Sequence, residues 1–348
     1  MKMDTFRLAD KLPSELNRRG FLKNSAVVLG AITVCNLGGL EEAPAAPNEK
    51  AQVYFTDDIS VNGLLKIYAK VNQNITGKTA IKLHSGEPHG PNLLPIELIT
   101  GLQATIPNST IVECNVLYES PRQHTQSHLE TLKINGFDFC PVDIMDAEGD
   151  AILPIFGTKE LLAKWEDSPK RPFEDGTHLS EIAVGKNLLN YDSLLVYTHF
   201  KGHTMGGFGG SLKNIAIGCA SGQVGKLQIH EKGWKGGKLF LERMVEAGKG
   251  ISDHFGPRIT YINVLKNISV DCDCDAHGKK PTCRDIGIVA STDILAIDKA
   301  SIDLVYALPQ TELKDIKERI ETRNGLHQLE YMKLLRMGKE HYDLINLG

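Results

Sequence analysis

The chain has 348 residues, enough for one large α/β domain or two ordinary ones. Its hydrophobic fraction of 41% and charged fraction of 24% are those of a globular protein with a buried core. A net charge of −4 gives no basic footprint for nucleic acid or for an anionic membrane surface.

The N-terminus reads as an export signal. Asn17-Arg18-Arg19-Gly20-Phe21-Leu22-Lys23 precedes an apolar segment, Ala26 to Leu37, and Ala43-Pro44-Ala45 follows. Paired arginines, a short apolar core and an Ala-x-Ala site predict the twin-arginine route, with signal 1–45, mature domain 46–348 and a periplasmic location. The apolar run is too short for the ~20 residues of a membrane-spanning helix, so no stable membrane span is expected.

Strand-like and helical runs then alternate. Gln52–Thr56 reads as a strand, and Val61–Val71 places Leu64, Leu65, Tyr68 and Val71 at helical spacing. Thr79–Leu83 is a strand ending in the loop His84-Ser85-Gly86-Glu87-Pro88-His89-Gly90-Pro91. A helix over Pro95–Thr105, a strand over Ser109–Cys114 and a helix over Thr125–Asn135 stopped by Gly136 come next. Phe137–Val142 and Ala151–Ile155 read as strands, and Thr158–Asp175 as a polar excursion or lid. Tyr191–Tyr197 is a buried strand, Phe240–Ala247 a helix ended by glycines, and Ile259–Leu265 and Asp285–Ala290 further strands. Helices over Ile297–Leu308, Glu312–Thr322 and Leu326–Met337 finish the chain. This predicts an α/β fold, a mostly parallel sheet flanked by helices in three layers, as one compact domain with C-terminal helices. Ligands of such sheets sit outside the carboxyl ends of the strands, where the loops from His84 and His199 should share one crevice.

The segment His199–Lys226 is the strongest candidate site. His199, Lys201, His203, Lys213 and Asn214 are strung among glycines at 202, 206, 207, 209 and 210, where core would need side-chain volume. The two histidines are candidate metal ligands, and Lys201, Lys213 and Asn214 are donors for a small anionic ligand. Gly207, Gly209 and Gly210 would let the backbone approach a cofactor. Phosphate-loop templates fail, because Leu227 follows Gly225-Lys226 and Leu212 stands where a last glycine is needed.

The second cluster is Asp271-Cys272-Asp273-Cys274-Asp275-Ala276-His277, with Cys283 downstream. Cys272 and Cys274 offer thiolates for zinc, copper or an iron–sulfur centre. A calcium loop is disfavoured by Ala276 and Thr282 at the turn and last-ligand positions. Structural disulfides through Cys283 remain the alternative in an oxidising compartment. The expected metal set is therefore His199, His203, Cys272 and Cys274, closed across the fold, with metal identity open. Asp271, Asp273 or a backbone carbonyl are the expected partners of the imidazoles.

The region from roughly Lys78 to Ala307 resembles the domain-of-unknown-function 362 family, bacterial and archaeal proteins often described as iron–sulfur-centre proteins. The resemblance rests on His199-Phe200-Lys201-Gly202-His203, on Gly209-Gly210-Ser211-Leu212-Lys213-Asn214, and on Asp285–Asp293 with Ala296-Ile297-Asp298-Lys299-Ala300. It implies the α/β fold and a metal ion or iron–sulfur centre. The Cys-x-x-Cys-x-x-Cys run of an added ferredoxin module is missing here, which leaves the Cys272–Cys283 region as the thiolate source. Two readings follow: a metal-dependent enzyme or redox protein with an unidentified redox partner, or a non-catalytic binding protein for an anionic ligand with structural cysteines.

Overall fold

Every residue of Ser193–His199 and of Ile259–Leu265 is buried, as strands covered on both faces require. The computed structural model describes residues 50–348 except 164, 166, 167, 169, 170, 175–178, 232, 233 and 235, so the expected signal 1–45 lies outside the described residues. In chain order come β1 (Ala51–Thr56), α1 (Val61–Tyr68), β2 (Thr79–Lys82), α2 (Ile96–Gln103), β3 (Ser109–Glu113), α3 (Thr125–Ile134) and β4 (Val142–Ile144). Next are β5 (Asp150–Pro154), α4 (Thr158–Ala163), β6 (Glu181–Gly185), β7 (Ser193–His199), β8 (Lys201–His203), β9 (Gly207–Gly209), α5 (Ser211–Cys219) and α6 (Gly225–His230). The chain closes with α7 (Lys238–Phe255), β10 (Ile259–Leu265), β11 (Gly287–Ser291), α8 (Ile294–Tyr306), α9 (Gln310–Thr322), α10 (His327–Leu334) and β12 (Tyr342–Asn346).

The main sheet runs β12-β1-β11-β10-β7-β2-β3-β4. Only β11 is antiparallel to its neighbours, β1 and β10; the other pairings are parallel. Alternate residues of each strand face opposite cores. Leu194 and Val196 join Ile215, Leu241 and Ile297 from α5, α7 and α8, whereas Leu195 and Tyr197 join Leu64 and Leu98 from α1 and α2. Helix, sheet and helix form three layers, the expected α/β architecture.

β2 and β7 are adjacent and parallel, with Lys82 opposite Val196. Their carboxyl ends therefore open on one edge, and the loops carrying His84 and His199 start side by side. That placement positions the site.

Three elements differ from the sequence reading. Phe137–Pro141 is not strand: Gly136 adopts φ 88°, its N–H donates to the Lys133 carbonyl, and the Phe137 N–H donates to Leu132, so this stretch closes α3. The strand near Ala151–Ile155 exists, but it pairs with β6 in a separate ribbon. α7 runs through Gly248 and Gly250, because a Cβ at Gly248 would lie 2.6 Å from Leu212 and one at Gly250 3.0 Å from Ile155. Those glycines permit close packing and do not end the helix. Part of the Thr158–Asp175 excursion lies outside the described residues; Leu162 and Phe173, which are described, are buried in the core.

Candidate functional site

At the carboxyl edge of the sheet, Lys82 ends β2, Glu113 ends β3 and His199 ends β7. With the loop after β10 and the start of α5, they enclose a cavity of about 330 Å³. Cys272 and Cys274 lie on its wall, as do His84, His203 and Lys213.

The two thiols meet His84. One ligand atom from each of His84, Cys272 and Cys274 lies within 4.8 Å of the other two, a group that could hold a metal ion. The Cys274 N–H donates to Cys272 Sγ at 3.4 Å, and His84 Nε2 lies 3.8 Å from the same sulfur. A hydrogen bond between the sulfurs separates their acidities. It drives the Cys272 thiol well below its ordinary range, and Lys213, His203 and His84 add to this against the opposing effect of burial. The same bond, with burial, pushes the Cys274 thiol well up. Of the pair, Cys272 is the more acidic thiol, and its neighbours favour its charged form.

Backbone donors set the tautomers of the nearby imidazoles. His84 Nδ1 accepts the Gly86 N–H at 3.0 Å. His203 Nδ1 accepts those of Met205 at 3.2 Å and Gly206 at 2.9 Å. A ring nitrogen that accepts an N–H carries no proton, so in both neutral rings the proton sits on Nε2. Burial, with Lys213 nearby, pushes the His203 pKa down to about 4, so this ring is neutral near pH 7.

His199 is placed differently from the expectation. Its Nδ1 faces Asp273 Oδ2 at 2.8 Å, and its Nε2 faces the carbonyls of Lys266 at 2.8 Å and Asn267 at 3.2 Å. Both ring nitrogens face protein oxygens, so neither is directed at the sulfurs. The expected set of His199, His203, Cys272 and Cys274 is thus corrected: His84 joins the thiols, His203 flanks Cys272, and His199 anchors the loop through Asp273. The Lys201 ammonium also contacts Asp273 Oδ2, at 2.5 Å, with both side chains buried. Burial disfavours the Asp273 charge, but His199 and Lys201 outweigh it and hold the carboxyl below its usual range. The aspartate between the two cysteines therefore fixes their loop to the end of β7.

Asn214, expected to meet a ligand, instead ties the scaffold together. Its Nδ2 donates to Lys82 O at 3.3 Å, Tyr197 O at 3.1 Å and Thr198 Oγ1 at 2.9 Å, and its Oδ1 accepts from Lys82 Nζ at 3.2 Å. Lys213 lines the cavity and forms no ion pair with any described residue. Gly207 and Gly210, expected to admit a cofactor, make room for protein. Gly207 has φ 77° and abuts Gly325, with a Cβ placed 2.7 Å from its Cα; a Cβ at Gly210 would lie 2.4 Å from Asp298 Oδ1. That carboxylate accepts the Ser211 and Leu212 N–H groups and so caps α5. Gly209 lines the cavity.

The Cys283 thiol donates to Ile268 O at 3.4 Å, and all six described cysteines are free. Sequence reasoning did not single out His84 as a ligand, nor Lys82, Glu113 and Arg122. The available signal was position: each of His84, Lys82 and Glu113 is a polar residue ending or directly following a buried strand. Arg122 Nη2 binds Glu87 at 2.8 Å and its Nη1 lies 3.5 Å from Glu113.

Sheet, crossover helices and a cavity beyond the strand ends define an α/β protein. The chain belongs to the family described as Domain of unknown function (DUF362), whose model matches residues 79–303. A comparison with curated proteins gives no match. Among solved structures, a Thermotoga maritima protein is similar at 12% identity and TM-score 0.39, covering 77% of this chain and 60% of that one. The lactate racemase apoprotein from Thermoanaerobacterium thermosaccharolyticum is similar at 16% identity and TM-score 0.38, covering 75% of this chain and 58% of that one. The chain thus spans less than two thirds of either structure. Among the described residues, no helix is long and apolar enough to cross a membrane.

Proposed function

We propose that this protein is an exported metal-binding protein that takes a small anionic ligand beside a metal ion held by Cys272, Cys274 and His84. The observation that carries the reading is the convergence of one imidazole and two sulfurs within 4.8 Å on the wall of a cavity. Two thiolates and an imidazole suit zinc or a softer first-row ion, and three protein ligands leave a position for a ligand oxygen. An ion there would supply Lewis-acid polarisation of that oxygen.

The chain's own residues do the rest. To hold an ion, both thiols would have to lose their protons, Cys272 the more readily and Cys274 the less. His84 must move its proton to Nδ1 to ligate through Nε2, which ends the Gly86 N–H bond. His203, neutral and beside Cys272, supplies a hydrogen bond to the sulfur. Lys213 offers an unpaired ammonium to the ligand's anionic group.

The acidity split within the Cys272–Cys274 pair favours one further reading, a redox dithiol that passes two protons and two electrons to the disulfide of a partner protein, reducing it to two thiols as Cys272 and Cys274 become a disulfide. Elemental analysis and thiol counting on protein purified anaerobically from its export route separate the two. Stoichiometric metal, lost in Cys272→Ser and Cys274→Ser, is the expected result. Metal-free protein that cycles between two thiols and a disulfide would establish the redox reading instead, and a metal-free protein with inert thiols would leave a binding protein.

A further inference from the structure

We propose that the ligand is a dianion with two separated anionic groups, and that Lys82 and Lys226 form a second anion subsite in the cavity, distinct from Lys213. The inference deepens the anionic-ligand part of the function proposed above and rests on it.

It follows from matching cations to carboxylates around the cavity. Lys201 is paired with Asp273, and Arg122 with Glu87 and Glu113. Glu113, on the cavity wall, is further engaged by the Ser85 N–H and lies 3.4 Å from His128. Lys82 and Lys226 also line the cavity, yet neither has a carboxylate within ion-pair distance. They are only 2% and 4% exposed. Their amines reach neutral oxygens alone: Leu83 O and Asn214 Oδ1 for Lys82, and Ala220 O at 2.6 Å for Lys226. Burial pushes both amines below the usual lysine range, and the carboxylates that bear on them, Glu113 foremost for Lys82 and Asp146 for Lys226, lie beyond ion-pair distance, so a bound anion would supply the close counter-charge that both lack.

The backbone also accommodates the Lys82 amine. A Cβ at Gly218 would lie 2.4 Å from Lys82 Nζ, so any larger residue there would displace it. A third polar group is in place: His230 is 7% exposed, lines the same cavity, and its buried Nδ1 has no hydrogen-bond partner. Phe240 and Trp234 hold the ring from two sides, with centroids 4.9 and 4.6 Å away.

The Lys213 side chain lies against Gly209, whereas the Lys82 amine lies against Gly218, five residues beyond Lys213 on α5 and so about 7.5 Å farther along its axis. The charges of Lys213 and Lys226 both bear on His230. Val116, Leu117, Met205 and Ile217 give the cavity apolar wall. This pattern fits a short carbon chain or small scaffold with an anionic group at either end, a dicarboxylate or a phosphorylated carboxylate. A volume of about 330 Å³ limits it to a small molecule.

The test is calorimetric titration of the metal-loaded full-length chain with acetate, succinate, glutarate, inorganic phosphate and phosphonoacetate. Lys82→Met and Lys226→Met variants run in parallel, with metal content measured in every sample. The dianions with separated groups should bind the parent about 10- to 100-fold more tightly than acetate or phosphate, the worth of a charge-assisted contact. Either Met variant should erase that preference and leave acetate binding intact. Tighter glutarate and succinate would assign carboxylate to the Lys82–Lys226 subsite, and tighter phosphonoacetate would assign phosphate. Melting curves check folding, and if one variant does not fold the other carries the test. Equal affinity for acetate and the dianions in the parent, or a preference unchanged in a folded Met variant, would overturn the proposal. Such a failure in metal-loaded protein leaves the metal reading standing, whereas dianion preference in protein that binds no metal removes the metal reading and keeps the subsite.

Discussion

Asp273→Asn probes the link between loop anchoring and the thiols most sharply. The substitution keeps the side chain's shape and one acceptor for His199 but removes the charge that Lys201 meets at 2.5 Å. Lys201 and Asp273 are each 4% exposed, so the ammonium left behind has neither counter-charge nor much water. Breaking a buried pair in this way costs about 3–5 kcal/mol. For a chain of this size that corresponds to a fall in melting temperature on the order of 5–10 °C. Because Asp273 lies between the two cysteines, metal affinity should also drop by roughly 10- to 100-fold, as for other residues that orient ligands. Adding Lys201→Met removes the stranded charge, so the double variant should regain a large part of the lost stability. Chemical denaturation of the parent, both single variants and the double variant yields the coupling energy, and cobalt titration yields the affinity. An Asp273→Asn loss below about 1 kcal/mol, with no coupling to Lys201, would refute the anchoring argument.

Two other perturbations test separate parts of the account. Burial raises the Asp298 carboxyl to about 6, although Asn263, Leu212 and Ser211 donate to it. The folded state then holds this proton more tightly than the unfolded state, near 3.9, so the group's contribution is most favourable in acid and declines as pH rises from about 4 to 6. Relative to Asp298→Asn, the parent should lose about 3 kcal/mol of unfolding free energy over that window, and a pH-independent difference would show the carboxyl to be ionised throughout. Replacing Arg18 and Arg19 by lysine should hold the precursor in the cytoplasm, read by cell fractionation; normal export of that variant removes the twin-arginine assignment.

Hydrophobic patterning made the layers legible. Tyr191–Tyr197 and Ile259–Leu265 are apolar at five of seven positions each, and such runs become the central strands β7 and β10. β12 was not read from sequence because it is an edge strand of mixed polarity whose partner, β1, lies almost the whole domain away. The crowding of His203, Lys201, Lys213, Cys272 and Cys274 around one cavity was foreshadowed by polar residues among glycines and by the Cys-x-Cys spacing. Sequence could not show which histidine faces the sulfurs. That depends on the register of β2 against β7, which brings His84 forward, and on Asp273, which occupies His199 from 74 positions away. The glycines misled for the same reason. Gly210 is small because Asp298 approaches it, and Gly207 because Gly325 does, neither of which local pattern reveals.

The central claim, a metal ion held by Cys272, Cys274 and His84, is tested most directly by X-ray absorption at the zinc edge of anaerobically zinc-loaded protein. The account predicts two sulfur scatterers at about 2.3 Å and an imidazole nitrogen at about 2.0–2.1 Å. His84→Ala should remove the imidazole signal, and His199→Ala should leave it in place. A shell of nitrogen and oxygen alone, or an imidazole signal that disappears with His199 and survives the loss of His84, would contradict it.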